Sequence, residues 1–319
     1  MSRGSGSPMA HPPLSILCLG LFIFVTRQAF CVKVQLEMFE DSFDDQYIGC
    51  TEKMESLAPK ILKKERTMTL TFDKGWSLAS TLWKKRKPSL GRLPGGFKEE
   101  YGIALLLYSI DNLPTRKDLN EDIRRYGTDP TSFRFYAFHF YLTRALTLLQ
   151  SRCDGKPRLI LASLGDVELE PPSHPKANVR LRQLHFFSTD IDVIKGLGNI
   201  SLLIYTCFGL EIRNFSYDPL YMEVLVPVNE VFWVSNYDKD QKRMTLKTTN
   251  RNCSYYNCAY LGELCEGLFC EYIFLPSDGI FHADGIDEIV EKMQLRHFLE
   301  DTVFMAFTHK VVNRGVWYL

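Results

Sequence analysis

Hydrophobic positions follow two different rhythms along this chain. Through the first half they recur every three or four residues, the spacing of helices buried on one face. Met54, Leu57, Ile61 and Leu62 form one such stripe over residues 51–65, where Pro59 predicts a kink or a break. Trp76, Ala79, Leu82 and Trp83 continue the spacing up to a basic run, Lys84 to Lys87, which reads as a solvated helix end before Pro88. Residues 88–96 read as a loop, and 103–108 are a compact apolar segment. Residues 119–126 have the pattern of a charged surface helix. Thr131 or Ser132 is positioned to cap a further helix reaching Leu149, apolar nearly all round and therefore central. His139 inside it reads as a hydrogen-bonded core histidine.

The rhythm changes from Leu159. Residues 159–164, 179–184, 201–207, 223–227, 230–234 and 244–248 are short runs rich in Val, Leu, Ile and aromatics, separated by Gly, Pro, Asn and Asp. Helices first and strands second predict an α+β fold. Neither a G-x-G-x-x-G nor a phosphate loop is present, which argues against Rossmann and P-loop folds. A last helical stripe, Ile286, Ile289, Val290 and Met293, falls within 284–299.

Composition adds little until the cysteines. The 319 residues carry 38 basic and 38 acidic side chains, a net charge of zero, which argues against a nucleic-acid binder. With 45% hydrophobic residues the core is large enough to fold without covalent help, so nine cysteines need their own explanation. The N-terminus offers one. Arg3 precedes an apolar run from Leu14 to Val25, the length of a signal-peptide core and short for a membrane span, with Ala29-Phe30-Cys31 at cleavage-like spacing. Setting aside Cys18 and Cys31 leaves seven: Cys50, Cys153, Cys207, Cys253, Cys258, Cys265 and Cys270. An oxidising compartment favours disulfides among them, with one thiol left over. The close spacing from Cys253 to Cys270 matches no zinc-ligand pattern, so no metal is expected. Sequons at Asn199, Asn214 and Asn252 agree with export as a glycoprotein. His309, Lys310 and Arg314 interrupt the apolar C-terminal tail, so neither a lipid anchor nor a membrane span is expected.

Several ordered motifs carry a resemblance to a known family. Phe43-Asp-Asp-Gln-Tyr-Ile-Gly-Cys50 is the first. A helix signature F-x-F-K-x-x-H-F-x-L-T-x-A stands here from Phe133 to Ala145, with Tyr136 where Lys is usual. Gly198 to Ile212, Glu223 to Phe232 and Ser254 to Cys258 complete it. The chain resembles the vertebrate arginine-specific mono-ADP-ribosyltransferases from Asp41 to Leu261. The resemblance implies the ADP-ribosyltransferase fold: a helical part packed on two small, roughly perpendicular β-sheets with NAD in the cleft. It also implies disulfides Cys50–Cys258 and Cys153–Cys207. The layout expected is a signal peptide over 1–31, a domain over 32–270 (helical to about 150, β-rich beyond), and an extension of unknown role over 271–319.

The family transfers ADP-ribose from NAD, as substrate, to an arginine guanidinium and releases nicotinamide. Resemblance places Glu223 at the carboxylate that stabilises the oxocarbenium-like transition state and orients the ribose 2′-hydroxyl. The family's phosphate-gripping Arg falls on Ala162 in the register anchored at Pro171, or on Arg158 counted from Cys153. Its functional Ser falls on Phe186 without a gap, or on Ser188 after a two-residue shift. The acidic residue that positions the target guanidinium two places before the catalytic Glu is replaced by Tyr221, which offers no bidentate carboxylate. The expected partners are therefore NAD and arginine-bearing extracellular proteins, with transfer to arginine weakened more than hydrolysis of NAD. A catalytically inactive binding glycoprotein and a residual NAD glycohydrolase are the alternatives.

Overall fold

The computed structural model describes residues 32–150, 153, 155–165, 167–217, 223–262 and 268–272. The stripe at 284–299 lies outside them.

The helical layer comprises α1 (Thr51–Met68), α2 (Leu70–Arg86), α3 (Glu99–Ser109), α4 (Thr115–Arg125) and α5 (Tyr136–Leu149). α1 runs unbroken through Pro59, because Met54, Ala58, Ile61 and Leu62 are buried on both sides of it. Packing of that face outweighs the one backbone hydrogen bond a proline removes. α2 starts at Thr69, whose Oγ1 accepts from Phe72 N at 3.2 Å. A side chain at Gly102 of α3 would collide with the Trp83 indole, so only glycine allows the two helices this approach.

α5 begins at Tyr136 and has no local side-chain cap. Thr131 and Ser132 lie before it, Ser132 closing a short 3-10 turn over Pro130–Ser132. The cap comes instead from Glu65 on α1, whose carboxylate accepts from Ala137 N at 2.6 Å and Phe138 N at 3.2 Å. Such a cap satisfies backbone donors that a helix start leaves open. It needs tertiary contact, so it is invisible to local pattern. Within α5, His139 is buried and its Nδ1 sits 2.8 Å from the Tyr47 hydroxyl, as a core histidine.

The β part contains β1 (Val32–Gln35), β2 (Arg158–Ala162), β3 (Val167–Glu170), β4 (Asn178–Val179), β5 (His185–Ser188), β6 (Leu202–Thr206), β7 (Leu210–Glu211), β8 (Glu223–Val226), β9 (Glu230–Asp238), β10 (Arg243–Ser254) and β11 (Phe269–Tyr272). A short helix, α6 (Ile191–Leu197), follows β5. β1 and β3 form a parallel pair. The remaining nine strands form one ladder, β4-β9-β10-β6-β2-β5-β8-β7, with β11 added on β10. The two small sheets implied by resemblance are here two halves of that ladder, joined where β2 meets β5 at a single residue pair, Leu161 with Ser188.

Alternation along β5 and β8 shows how the layers stack. Phe186 and Leu225 pack with the helical core, whereas Phe187, Val224 and Val226 pack with Ile160, Phe232 and Leu246 of the other half. The β5–β8–β7 half is thus covered on both faces. The run at 179–184 contributes only Val179 to a strand, because Arg180 leaves the ladder to serve a buried polar knot.

That knot explains the Phe43–Cys50 motif. Arg180 and Asp44 form a fully buried ion pair at 2.5 Å. Arg180 also donates to the carbonyls of Met38, Phe39 and Cys253 at 2.7–3.1 Å. Asp44 accepts from Tyr255 N and Tyr256 N, both at 2.9 Å at the nearest. Asp45 accepts from Tyr47 N, Cys258 N and Ala259 N at 2.7–2.9 Å. Buried charges persist when paired and fully hydrogen-bonded, and these are. The two acids stitch the start of the domain to its end, and the Cys50–Cys258 disulfide closes the same seam.

Cys153–Cys207 is the second disulfide. A third, Cys253–Cys270, joins directly opposed residues of β10 and β11, so these two cysteines of the closely spaced set pair with each other. Cys265 lies outside the described residues.

Candidate active site

The candidate residues converge where the two halves of the ladder meet. Ser188 ends β5 and is the Cα partner of both Leu161 on β2 and Glu223 on β8. Directly opposed residues on antiparallel strands lie about 4.5–5.5 Å apart. A hydroxyl residue and a carboxylate residue therefore occupy facing register positions at strand ends. Ser188 is buried, and its Oγ accepts from Asp190 N at 2.9 Å. Asp190 in turn caps α6 by accepting from Asp192 N at 2.9 Å and Val193 N at 3.4 Å. This turn fixes the serine as the chain leaves the sheet.

Phe186, the alternative position, lies two residues deeper on β5. Its ring packs 5.2 Å from Tyr108 and under the Arg116 guanidinium, within the helical core. Ala162 ends β2 beside Leu161 and is buried in an apolar cluster of aliphatic and aromatic side chains. Arg158 opens the same strand opposite Thr206, about 10 Å from Leu161 at some 3.3 Å per residue. Its guanidinium reaches β7, where it pairs with Glu211 at 2.8 Å. Glu211 is the Cα partner of Val224, the residue after Glu223. The cation is thus held at the strand next to β8, at the register position of Val224. Tyr221 lies outside the described residues.

One buried carboxylate nearby had no sequence signal beyond its place in an apolar run. Glu230 on β9 accepts from the Thr206 hydroxyl and from Cys207 N, the latter at 2.8 Å. Burial pushes its carboxyl up to about 7 despite those donors. It braces the end of β6 beside the Cys153–Cys207 disulfide. Among the described residues no cluster of His, Cys, Asp and Glu is arranged to hold a metal ion. A groove of about 370 Å³ between α1 and α2, lined by Leu62, Lys63, Arg66 and Asp73, contains none of the candidate residues.

The sequons differ in setting. Asn199 and Asn214 are exposed, on the approach to β6 and in the turn after β7. Asn252 lies inside β10, half-buried, with Nδ2 donating to Gln46 Oε1 at 2.8 Å. Asn252 thus differs from the other two in lying within a strand.

Helices packed on a ladder whose halves join at one residue pair, with Ser and Glu opposed at the joint, fit an ADP-ribosyltransferase architecture. The family model for NAD:arginine ADP-ribosyltransferases matches residues 36–254, and the chain belongs to that family. It is 36% identical to ecto-ADP-ribosyltransferase 5 of Bos taurus over 76% of this chain and 79% of that protein. It is 33% identical to the GPI-linked NAD(P)(+)–arginine ADP-ribosyltransferase 1 of Oryctolagus cuniculus, over 81% and 86%. The crystal structure of the eukaryotic mono-ADP-ribosyltransferase ART2.2 superposes with a TM-score of 0.64 at 31% identity, covering 71% of this chain and 99% of that one. A variant of ART2.2 in complex with NAD gives 0.63. NAD is the family's substrate. The relatives are ecto-enzymes, and among the described residues no helix is long and apolar enough to cross a membrane.

Proposed function

We propose that this protein is a secreted NAD:arginine ADP-ribosyltransferase whose transfer to arginine is weakened. The register pairing of Ser188 with Glu223 is the observation that supports this reading, because a carboxylate residue beside a hydroxyl residue is what stabilising positive charge on the ribose requires. Glu223 holds the ribose 2′-hydroxyl and stabilises the oxocarbenium-like centre as the bond from C1′ to nicotinamide breaks. The Ser188 hydroxyl lines the same end of the cleft. Arg158 takes the NAD phosphates, exchanging its exposed pair with Glu211 for a doubly charged ligand. An arginine of an extracellular protein, or water, then attacks C1′. With Tyr221 in place of the acceptor-positioning acid, water competes better than it does where that acid is present. Residues 1–31 are removed as a signal peptide, the domain spans 32–270, and 271–319 form an extension.

One observation favours the reading as an inactive binding glycoprotein: Ala162, next to the partner of Ser188, carries no charge for a phosphate. Purified mature protein, labelled NAD and a small guanidine acceptor separate the readings, with Glu223→Gln as control. Labelled adduct that disappears in Glu223→Gln supports the transferase. Free nicotinamide without adduct identifies a glycohydrolase. Neither product, from folded protein, leaves the binding role.

A further inference from the structure

We infer that N-glycans occupy Asn199 and Asn214 in the folded protein and that the third sequon, Asn252-Cys253-Ser254, is closed to glycosylation. The inference rests on the extracellular reading above and separates three tripeptides that are equivalent in sequence. A sequon takes a bulky, hydrated glycan on its asparagine Nδ2, so it belongs on a surface loop. Asn199 and Asn214 are exposed outside the strands. Asn252 is in an interior strand position: it is the Cα partner of Glu230 on β9 and of Glu271 on β11.

Each residue of the third sequon is engaged. Asn252 Nδ2, the atom a glycan would take, donates to Gln46 Oε1, and Oδ1 is buried without a partner. The middle residue is Cys253, disulfide-bonded to Cys270. Its N–H donates to the Asn229 carbonyl at 2.8 Å, and its carbonyl accepts from Arg180 at 2.8 Å. The Ser254 side chain is fully buried, its Oγ donating to the Asp44 carbonyl at 2.9 Å and accepting from Asn229 at 2.9 Å. A glycan on Asn252 Nδ2 would take one of its two N–H groups and crowd Gln46, whose own amide donates to Ser254 Oγ in the seam. An unsatisfied buried polar group there is costly. β11 adds to the closure, since its pairing with β10 sets Glu271 opposite Asn252 and joins Cys270 to Cys253.

Secreted protein from a glycosylating host, digested and mapped by mass spectrometry with and without amidase release, tests this. Asn199→Gln and Asn214→Gln are each expected to remove one glycan, and Asn252→Gln none. Loss of a glycan in Asn252→Gln overturns the inference. Absence of glycans from all three sites, in protein recovered from the medium, overturns it while leaving secretion intact; protein retained in the cell overturns the extracellular reading with it. Cys270→Ser leaves the sequon's three residues in place and frees β11, so partial occupancy is expected to appear at Asn252. No gain there overturns the role assigned to β11.

Discussion

The seam around Asp44 and Arg180 and the strand ends at Ser188 and Glu223 are built in opposite ways. At the seam, Arg180 has four partners, and Asp44 and Asp45 accept from backbone and side-chain donors on both sides of the chain. At the strand ends, one residue pair joins β2 to β5, and Ser188 holds one turn. The contrast shows how this fold divides its polar groups. Charges that hold the domain together are buried and saturated, because an unpaired one would be destabilising. The candidate chemistry stands where the ladder is thinnest.

The comparison breaks most decisively at Arg180. Arg180→Ala leaves Asp44 buried without its counter-charge and is expected to cost about 3–5 kcal/mol in urea denaturation. A loss below about 1 kcal/mol would mean the seam tolerates an open charge. Replacing Cys50 and Cys258 together by Ser is expected to cost about 2–5 kcal/mol, measured the same way under non-reducing conditions.

The pH profile sharpens the contrast. Burial pushes Glu65 up to about 8 and Glu230 up to about 7, from 4.5. Their contributions are complete below pH 4.5 and are lost as pH rises through those values. Burial pushes His139 and His185 down to about 3, from 6.5, so their contributions are present above 6.5 and fade as pH falls. The two sets oppose each other in acid, and above about pH 6.5 only the carboxyls act. Stability is therefore expected to fall between pH 6.5 and 8, and Glu65→Gln to flatten that fall. An unchanged slope would remove Glu65 from the account. The smallest stability effect belongs to Glu211→Gln. Its exposed pair with Arg158 is worth at most about 1 kcal/mol. The same change is expected to lower the Kd for NAD by freeing Arg158, measured by calorimetry on Glu223→Gln protein. A higher Kd would assign Glu211, rather than Arg158, to the ligand.

Helical spacing located α1, α2 and α5, and the apolar runs located β2, β6, β8, β9 and part of β10, because periodic burial is written directly into residue order. Motif resemblance carried the family and two disulfides. The capping of α5 by Glu65, the withdrawal of Arg180 from its strand and the Cys253–Cys270 pair were not legible. Each joins residues with no local pattern between them. The candidate site was legible only as candidates: motif resemblance offered Glu223, and Ser188 or Phe186, while strand register, which sets Ser188 opposite Glu223 and Phe186 against Tyr108, is not written in residue order.

By itself, then, the sequence determined the α+β class, the helical and extended segments and the family to which they belong, since these follow from spacing and ordered motifs. Tertiary structure alone decided which acids are buried in the seam, which residue of β5 pairs in register with Glu223 and which sequon lies inside a strand. Those outcomes depend on which side chains share a buried seam or a register pair, and chain order does not specify that until the strands have paired.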